Sequence, residues 1–153
     1  MNKATLPEIR ILLVEDNPPD VRWFALVLEE AGLHTEVINA PTGKAGWVEL
    51  EIACANGTPP NIIFLDLNLP VFDGAELLSR IRSDRRFNGI PVCVLTGSVV
   101  EREHLLREFG MPDEAYILKP LQPDSLARAF KSFPGLRHFL LRNQISEGKA
   151  GGV

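Results

Sequence analysis

Apolar and polar positions along this chain fall into two alternating kinds of segment. Short segments dense in apolar or β-branched residues cover 9–14, 34–39, 61–65, 90–95 and 115–118. Between them lie longer stretches, 18–31, 43–55, 75–84, 99–108 and 123–132, whose apolar residues recur at helical spacing. Short runs bounded by turn residues and separated by helical patterns predict parallel strands joined by crossover helices. In the first helix Val21, Phe24, Leu28 and Ala31 share a stripe. Asn17 is placed to cap that helix, Pro18 and Pro19 fill its first turn, where a missing N–H costs nothing, and Gly32 stops it. In the second helix Ala45, Val48, Ile52 and Ala55 form the expected core stripe, and Asn56-Gly57-Thr58-Pro59-Pro60 makes a clear break. Beyond 132, Pro134-Gly135 interrupts, and Leu136, Phe139 and Leu140 would share one face of a short amphipathic helix. From Ser146 onward the composition reads as disordered.

Five strands alternating with five helices predict an α/β, doubly wound (βα)5 domain. Right-handed crossovers leave few arrangements. In the flavodoxin-like order 2-1-3-4-5, ligands bind at the carboxyl ends of strands one and three. Glu15-Asp16 and Asp66 stand at those two ends, while Thr96 follows the fourth strand and Lys119, with Pro120 behind it, follows the fifth. The chain thus gathers three carboxylates, one hydroxyl and one ammonium on one sheet edge. An isolated Glu-Asp pair is more often a solvated loop or a helix cap; the third acid, the Thr and the Lys converging on it change that. Three carboxylates so close repel, and apolar surroundings would force protonation unless a hard cation intervened. Mg²⁺, oxygen-liganded and able to bridge to a phosphate, suits the set. Lys119 suits a phosphoryl oxygen and Thr96 offers a donor to a second one. A carboxylate between a metal and a cation is equipped to attack phosphorus and form an acyl phosphate. No G-x-x-x-x-G-K-[ST] phosphate loop is present, which argues against nucleotide binding.

Bulk properties narrow the class. At 153 residues one domain with a real core is expected. A net charge of −4 argues against non-specific nucleic-acid binding, which favours a basic face. No apolar stretch is long enough to cross a bilayer and the first residues lack a secretion-signal core, so a cytoplasmic location is expected. Cys54 and Cys93 have no ligand-like spacing and are read as reduced, buried thiols. His34, His104 and His138 are scattered and read as surface or edge residues.

The motifs Leu13-Val14-Glu15-Asp16-Asn17, Leu65-Asp66-Leu67-Asn68-Leu69-Pro70-Val71-Phe72-Asp73-Gly74, Leu95-Thr96-Gly97 and Leu118-Lys119-Pro120, in this order and spacing, resemble the receiver domains of two-component response regulators. The resemblance runs from about Ile9 to Phe133. It divides the chain into an extension at 1–8, a receiver domain at 9–133 and a tail at 134–153. It implies that Asp66 accepts a phosphoryl group from a phosphohistidine on a sensor histidine kinase. It implies that Glu15, Asp16 and Asp66 bind Mg²⁺, Asp16 directly and Glu15 through water, with the main-chain carbonyl of Asn68 completing the protein ligands. Thr96 and Tyr116 would be paired switch residues, Thr96 drawn to the phosphoryl group and the ring turning inward. The alternative for Tyr116 is a half-buried strand aromatic. The bond before Pro120 is cis in the family. Glu15 departs from the common pattern, which has Asp there. The Asp-Leu-Asn-Leu-Pro phrase, the long segment before strand three and the short tail look like the regulators that partner bacterial phytochromes.

Partner surfaces follow from the same reading. Trp23, Leu26 and Val27 are not all needed for the core stripe of the first helix, and that face is expected to dock a kinase helix bundle. The alternative is that Trp23 is packed at an edge. Phe133, Leu136, Phe139 and Leu140 would be an exposed apolar patch and, with the fourth helix, fifth strand and fifth helix, are expected to form a homodimer. The alternative is a tail folded back on its own domain. Transfer onward to a histidine phosphotransfer protein is also open. Two rival functions remain: a phosphatase of the haloacid-dehalogenase type, which shares the Asp nucleophile, Mg²⁺, Thr and Lys, and an unphosphorylated receiver-shaped scaffold. In the phosphatases the nucleophile follows the first strand in Asp-x-Asp, whereas Asp66 follows the third.

Overall fold

A computed structural model describes residues 8–67, 74–110 and 115–137. Five parallel strands form one sheet in the order 2-1-3-4-5. They are β1 (Ile9–Val14), β2 (Thr35–Ala40), β3 (Ile62–Asp66), β4 (Val92–Thr96) and β5 (Tyr116–Leu118). The helices are α1 (Pro18–Glu30), α2 (Gly43–Ala55), α3 (Gly74–Ser83), α4 (Val99–Phe109) and α5 (Pro123–Ser132). The predicted order and fold class hold. Three strands begin and end one or two residues later than the apolar runs suggest, so Asp66 and Thr96 are the last residues of β3 and β4. At β3 the side chain of Asn61 occupies the place of a strand partner: its Oδ1 accepts from Arg10 N at 2.7 Å. At β4 Pro91 has no N–H for the ladder, and pairing starts at Val92.

Alternation along the strands sorts the apolar residues onto two faces. Ile9, Ile11, Leu13, Ile62, Phe64, Cys93, Leu95 and Ile117 pack under α1 and α5, against Phe24, Val27, Leu28, Leu126 and Phe130. Leu12, Val14, Ile63, Leu65, Val92, Val94 and Tyr116 face α2 and α3, against Leu50, Leu77, Leu78 and Ile81. Phe24 meets Phe64 edge-on at 4.9 Å. Asn17 caps α1 as expected, its Oδ1 accepting from Asp20 N, and Gly32 supplies the left-handed turn (φ 74°). Cys93 is fully buried, which pushes its thiol pKa up. Among the described residues no helix is long and apolar enough to cross a membrane.

Four expectations are corrected. Val27 is not on the free face of α1: it is 1% exposed, in the core, while Leu26 is 57% exposed. The stripe of α2 is displaced. Val48, Ile52 and Ala55 face outward, and the helix buries Gly43, Gly46 and Leu50. The small residues let α2 approach closely, since a Cβ on Gly46 would stand 3.0 Å from Val14. The tail does not leave the domain at 134. A 3₁₀ turn, Pro134–Leu136, folds back, burying Leu136 in the α1–α5 core with Phe133 packed against both clusters. Leu136 is therefore core, and the domain extends at least to it; Phe139 and Leu140 lie outside the described residues. Finally, Tyr116 is already buried, because the β5 register sets it beside Val94.

Burial separates the two neighbours on α1. Val27→Ala is expected to lower unfolding stability by about 2 kcal/mol through lost methyls and a cavity. Leu26→Ala should stay within about 0.5 kcal/mol. Urea midpoints of the two variants check the assignment.

Candidate functional site

The carboxyl ends of β1, β3, β4 and β5 meet at one edge of the sheet. β1 passes directly into Glu15 and Asp16. Glu15 N donates to Ala40 O at 3.0 Å, extending the pairing with β2. Asn39 of β2 donates from Nδ2 to the carbonyls of Leu13 and Glu15, each at 3.1 Å, and fixes the turn that presents the acids. Asp66 closes β3 opposite Leu95. Gly74, the first residue of α3, packs on that strand end: a Cβ there would collide with the Asp66 carbonyl and stand 2.8 Å from Leu67 Cα. Only glycine permits this approach. Thr96, with no exposed surface, closes β4. Lys119 N donates to Thr96 O at 2.8 Å, and the Lys119-Pro120 bond is cis, as expected.

The ammonium of Lys119 is the hub. Its Nζ donates to Glu15 Oε1 at 2.8 Å, Asp66 Oδ2 at 3.0 Å and Asp20 Oδ2 at 3.1 Å. Burial opposes its charge, yet the hydrogen bonds to Glu15 and Asp66 outweigh that and hold its pKa above the ordinary lysine value. Glu15 shows the opposite strain. Burial, then hydrogen bonding to and repulsion from Asp66, raise its pKa from 4.5 to about 7, against the pull of Lys119. One ammonium does not neutralise the cluster.

One oxygen each from Glu15, Asp16 and Asp66 lie within 4.8 Å of one another, two of these residues buried and Asp16 exposed. Hard oxygen donors with surplus negative charge and an open side fit a divalent cation. Thr96 bonds toward the start of α4. Its Oγ1 donates to Glu101 Oε2 at 2.9 Å and accepts from Ser98 N at 3.1 Å.

The structure therefore brings Glu15, Asp16, Asp66 and Lys119 together, with Thr96 at the end of the adjoining strand. Asn68 lies outside the described residues. Trp23 is 44% exposed, and its Nε1 donates to Leu121 O at 2.6 Å. It walls a cavity of about 230 Å³ with Leu13, Asp20 and Lys119. Trp23 is thus both partly open and bound at an edge. The sequence reading missed Asp20, Asn39 and Glu101. Glu101 carried a signal, since Ser98-Val99-Val100-Glu101 has the spacing of a helix capping box. Asp20 and Asn39 carried none, because each acts across a strand order that no local pattern reveals.

The chain matches the response regulator receiver domain over residues 11–131. It belongs to that family. Response regulator Rcp1 from Synechocystis sp. is 33% identical over 92% of this chain and 95% of its own length. The solved bacteriophytochrome response regulator AtBRR is 33% identical, with a TM-score of 0.70, over 85% of this chain and 94% of that one. A phosphorylated cyanobacterial phytochrome response regulator, RcpA, is 29% identical with a TM-score of 0.63, over 96% and 97% of the two chains. A Mn²⁺-bound form of Rcp1 superposes with a TM-score of 0.63 at 32% identity, over 83% and 94%. This receiver domain is part of a signalling family, and its acidic cluster suits a divalent metal.

The raised Glu15 pKa sets a pH dependence. Between pH 4.5 and about 7 the folded, metal-free protein keeps a proton that the unfolded chain has lost. Stability must therefore fall as pH rises through that window, by about 1–3 kcal/mol. Glu15→Gln should flatten the slope. Urea unfolding in chelator across the window reads both.

Proposed function

We propose that this receiver accepts a phosphoryl group on Asp66 from the phosphohistidine of a sensor histidine kinase. The observation that carries this reading is the Lys119 ammonium held between buried Asp66 and buried Glu15 beside exposed Asp16. An Asp66 oxygen attacks phosphorus, the new O–P bond forms as the N–P bond breaks, and the imidazole leaves with the bonding electrons and takes up a proton. Lys119 offsets charge on the transferring group and stays paired with the acyl phosphate. Glu15, Asp16 and Asp66, with the Asn68 carbonyl, would hold Mg²⁺. Bound there, Mg²⁺ would neutralise the acids and bind a phosphoryl oxygen. No general base is needed, because a carboxylate is already the nucleophile.

Thr96 and Tyr116 are proposed to read the arrival of the group. Since the Tyr116 ring is buried, its part is proposed to be a shift within the packed β4–β5 face rather than a swing in from solvent. The donor is proposed to be of phytochrome type, on the strength of the AtBRR and RcpA likenesses, in the cytosol. The kinase helix bundle would dock on α1 at Trp23 and Leu26. Exposed Val99, Val100 and Leu118 support a homodimer through α4, β5 and α5; Phe133 and Leu136 face inward. A histidine phosphotransfer protein is a further acceptor in this scheme. The dehalogenase-type reading is disfavoured because Asp66 ends β3, not β1.

Incubation with acetyl phosphate and Mg²⁺ is expected to add one phosphoryl group, read by intact mass. Asp66→Ala should abolish it, and undiminished labelling of that variant would sink the proposal. Trp23→Ala should slow transfer from the cognate kinase by about tenfold while leaving acetyl phosphate labelling unchanged, since a partly buried interfacial aromatic is worth about 1–2 kcal/mol. Equal transfer rates would remove Trp23 from the docking face.

A further inference from the structure

The start of α4 is wired in an unusual way. Ser98 is its N-cap and accepts from Glu101 N through Oγ at 3.4 Å. In a complete capping box, the glutamate three residues on would reach back and accept the N–H of the cap residue. Here it does not. Thr96 Oγ1 is inserted between the two: Ser98 N donates to Thr96 Oγ1 at 3.1 Å, and Thr96 Oγ1 donates to Glu101 Oε2 at 2.9 Å. A threonine hydroxyl has one proton to give. The other acceptor within reach, Ser98 O, is longer at 3.2 Å and already receives Arg102 N at 3.2 Å.

We infer that Glu101 is a positioning residue that holds the Thr96 hydroxyl away from the phosphoryl site, and that phosphorylation must displace it. This rests on the function proposed above. A phosphoryl oxygen on Asp66 can receive the Thr96 proton only if Glu101 gives it up. The displaced carboxylate is not orphaned. With Thr96 gone, Ser98 N–H and Glu101 are the two halves of an ordinary capping box and can bond directly. The arrangement therefore has two satisfied states, one with Thr96 inserted and one with it withdrawn. In the absence of phosphate the charge-assisted bond from Thr96 Oγ1 to Glu101 favours the inserted state. Once a phosphoryl group arrives, the Glu101 carboxylate adds screened repulsion against it. The direct cap forgone in the inserted state weighs less, because Thr96 Oγ1 accepts the Ser98 N–H there at 3.1 Å.

The test is the affinity for beryllofluoride, a phosphoryl mimic, at fixed Mg²⁺, read from the protein-bound fluoride signal in ¹⁹F NMR. Glu101→Ala is expected to tighten half-saturation about three- to tenfold, the scale of one hydrogen bond to a charged group discounted for partial exposure. Glu101→Gln keeps the length and an acceptor for the helix start and should fall between wild type and Ala. In a Thr96→Ala background the same Glu101→Ala change should shift half-saturation about twofold or less, because only screened repulsion remains. A merely structural role for Glu101 would give the same shift in both backgrounds. That result, or no shift in wild type, overturns the inference and leaves the receiver reading standing. Absence of Asp66-dependent beryllofluoride binding in wild type overturns both.

Discussion

Everything at the carboxyl edge of this sheet depends on one ammonium among acids. The Nζ of Lys119 is within 3.1 Å of three carboxylates drawn from a strand end, a helix start and a second strand end. Those three segments are adjacent only because β1 sits between β2 and β3 and the β5–α5 loop returns over α1. Fold and site thus constrain each other. The fold supplies a crowded anionic edge, and the lysine makes the crowding tolerable in part. The remainder of the charge is what makes the edge receptive to a divalent ion and to a phosphoryl group held by it.

Much of this was legible in the chain. Strand and helix periodicities gave the order of elements, and handedness narrowed the topology until Glu15, Asp16, Asp66, Thr96 and Lys119 had to share an edge. Failures came where packing overrode local pattern. Val27 read as spare because a four-residue stripe already accounted for α1, but a helix between a sheet and α5 buries a wider face. On α2 the larger aliphatics Val48 and Ile52 seemed the natural core; close approach to β1 instead selected Gly43 and Gly46. Leu136 read as a loose tail because Pro134-Gly135 looks like a terminator, whereas it makes a turn that brings the chain home. Side-chain bonds such as Asn39 to Glu15 or Asp20 to Lys119 join residues 24 and 99 positions apart. No window along the sequence spans them.

The second half of the edge obeys a different constraint. Around Asp66 the problem is charge; around Thr96 it is the count of protons. Thr96 has no solvent exposure, so its hydroxyl cannot share its bonds with bulk water. Each change of partner there must be matched by another group within the protein. Gly74 adds a steric limit: α3 begins so close to Asp66 that the backbone of the strand end is braced against the helix start.

Trp23 carries a consequence of another sort. Its indole N–H is tied to the Leu121 carbonyl, two residues from the lysine at the centre of the acids, and its ring lines the cavity that Lys119 also lines. The chain's only other tryptophan, Trp47, lies on the opposite face of the sheet, edge-on to Phe87 and beneath Arg80. The two indoles differ in surroundings, one hydrogen-bonded at a loop, the other stacked among side chains. The molecule therefore contains its own pair of optical reporters, one tuned to the lysine loop and one serving as a reference on the far side.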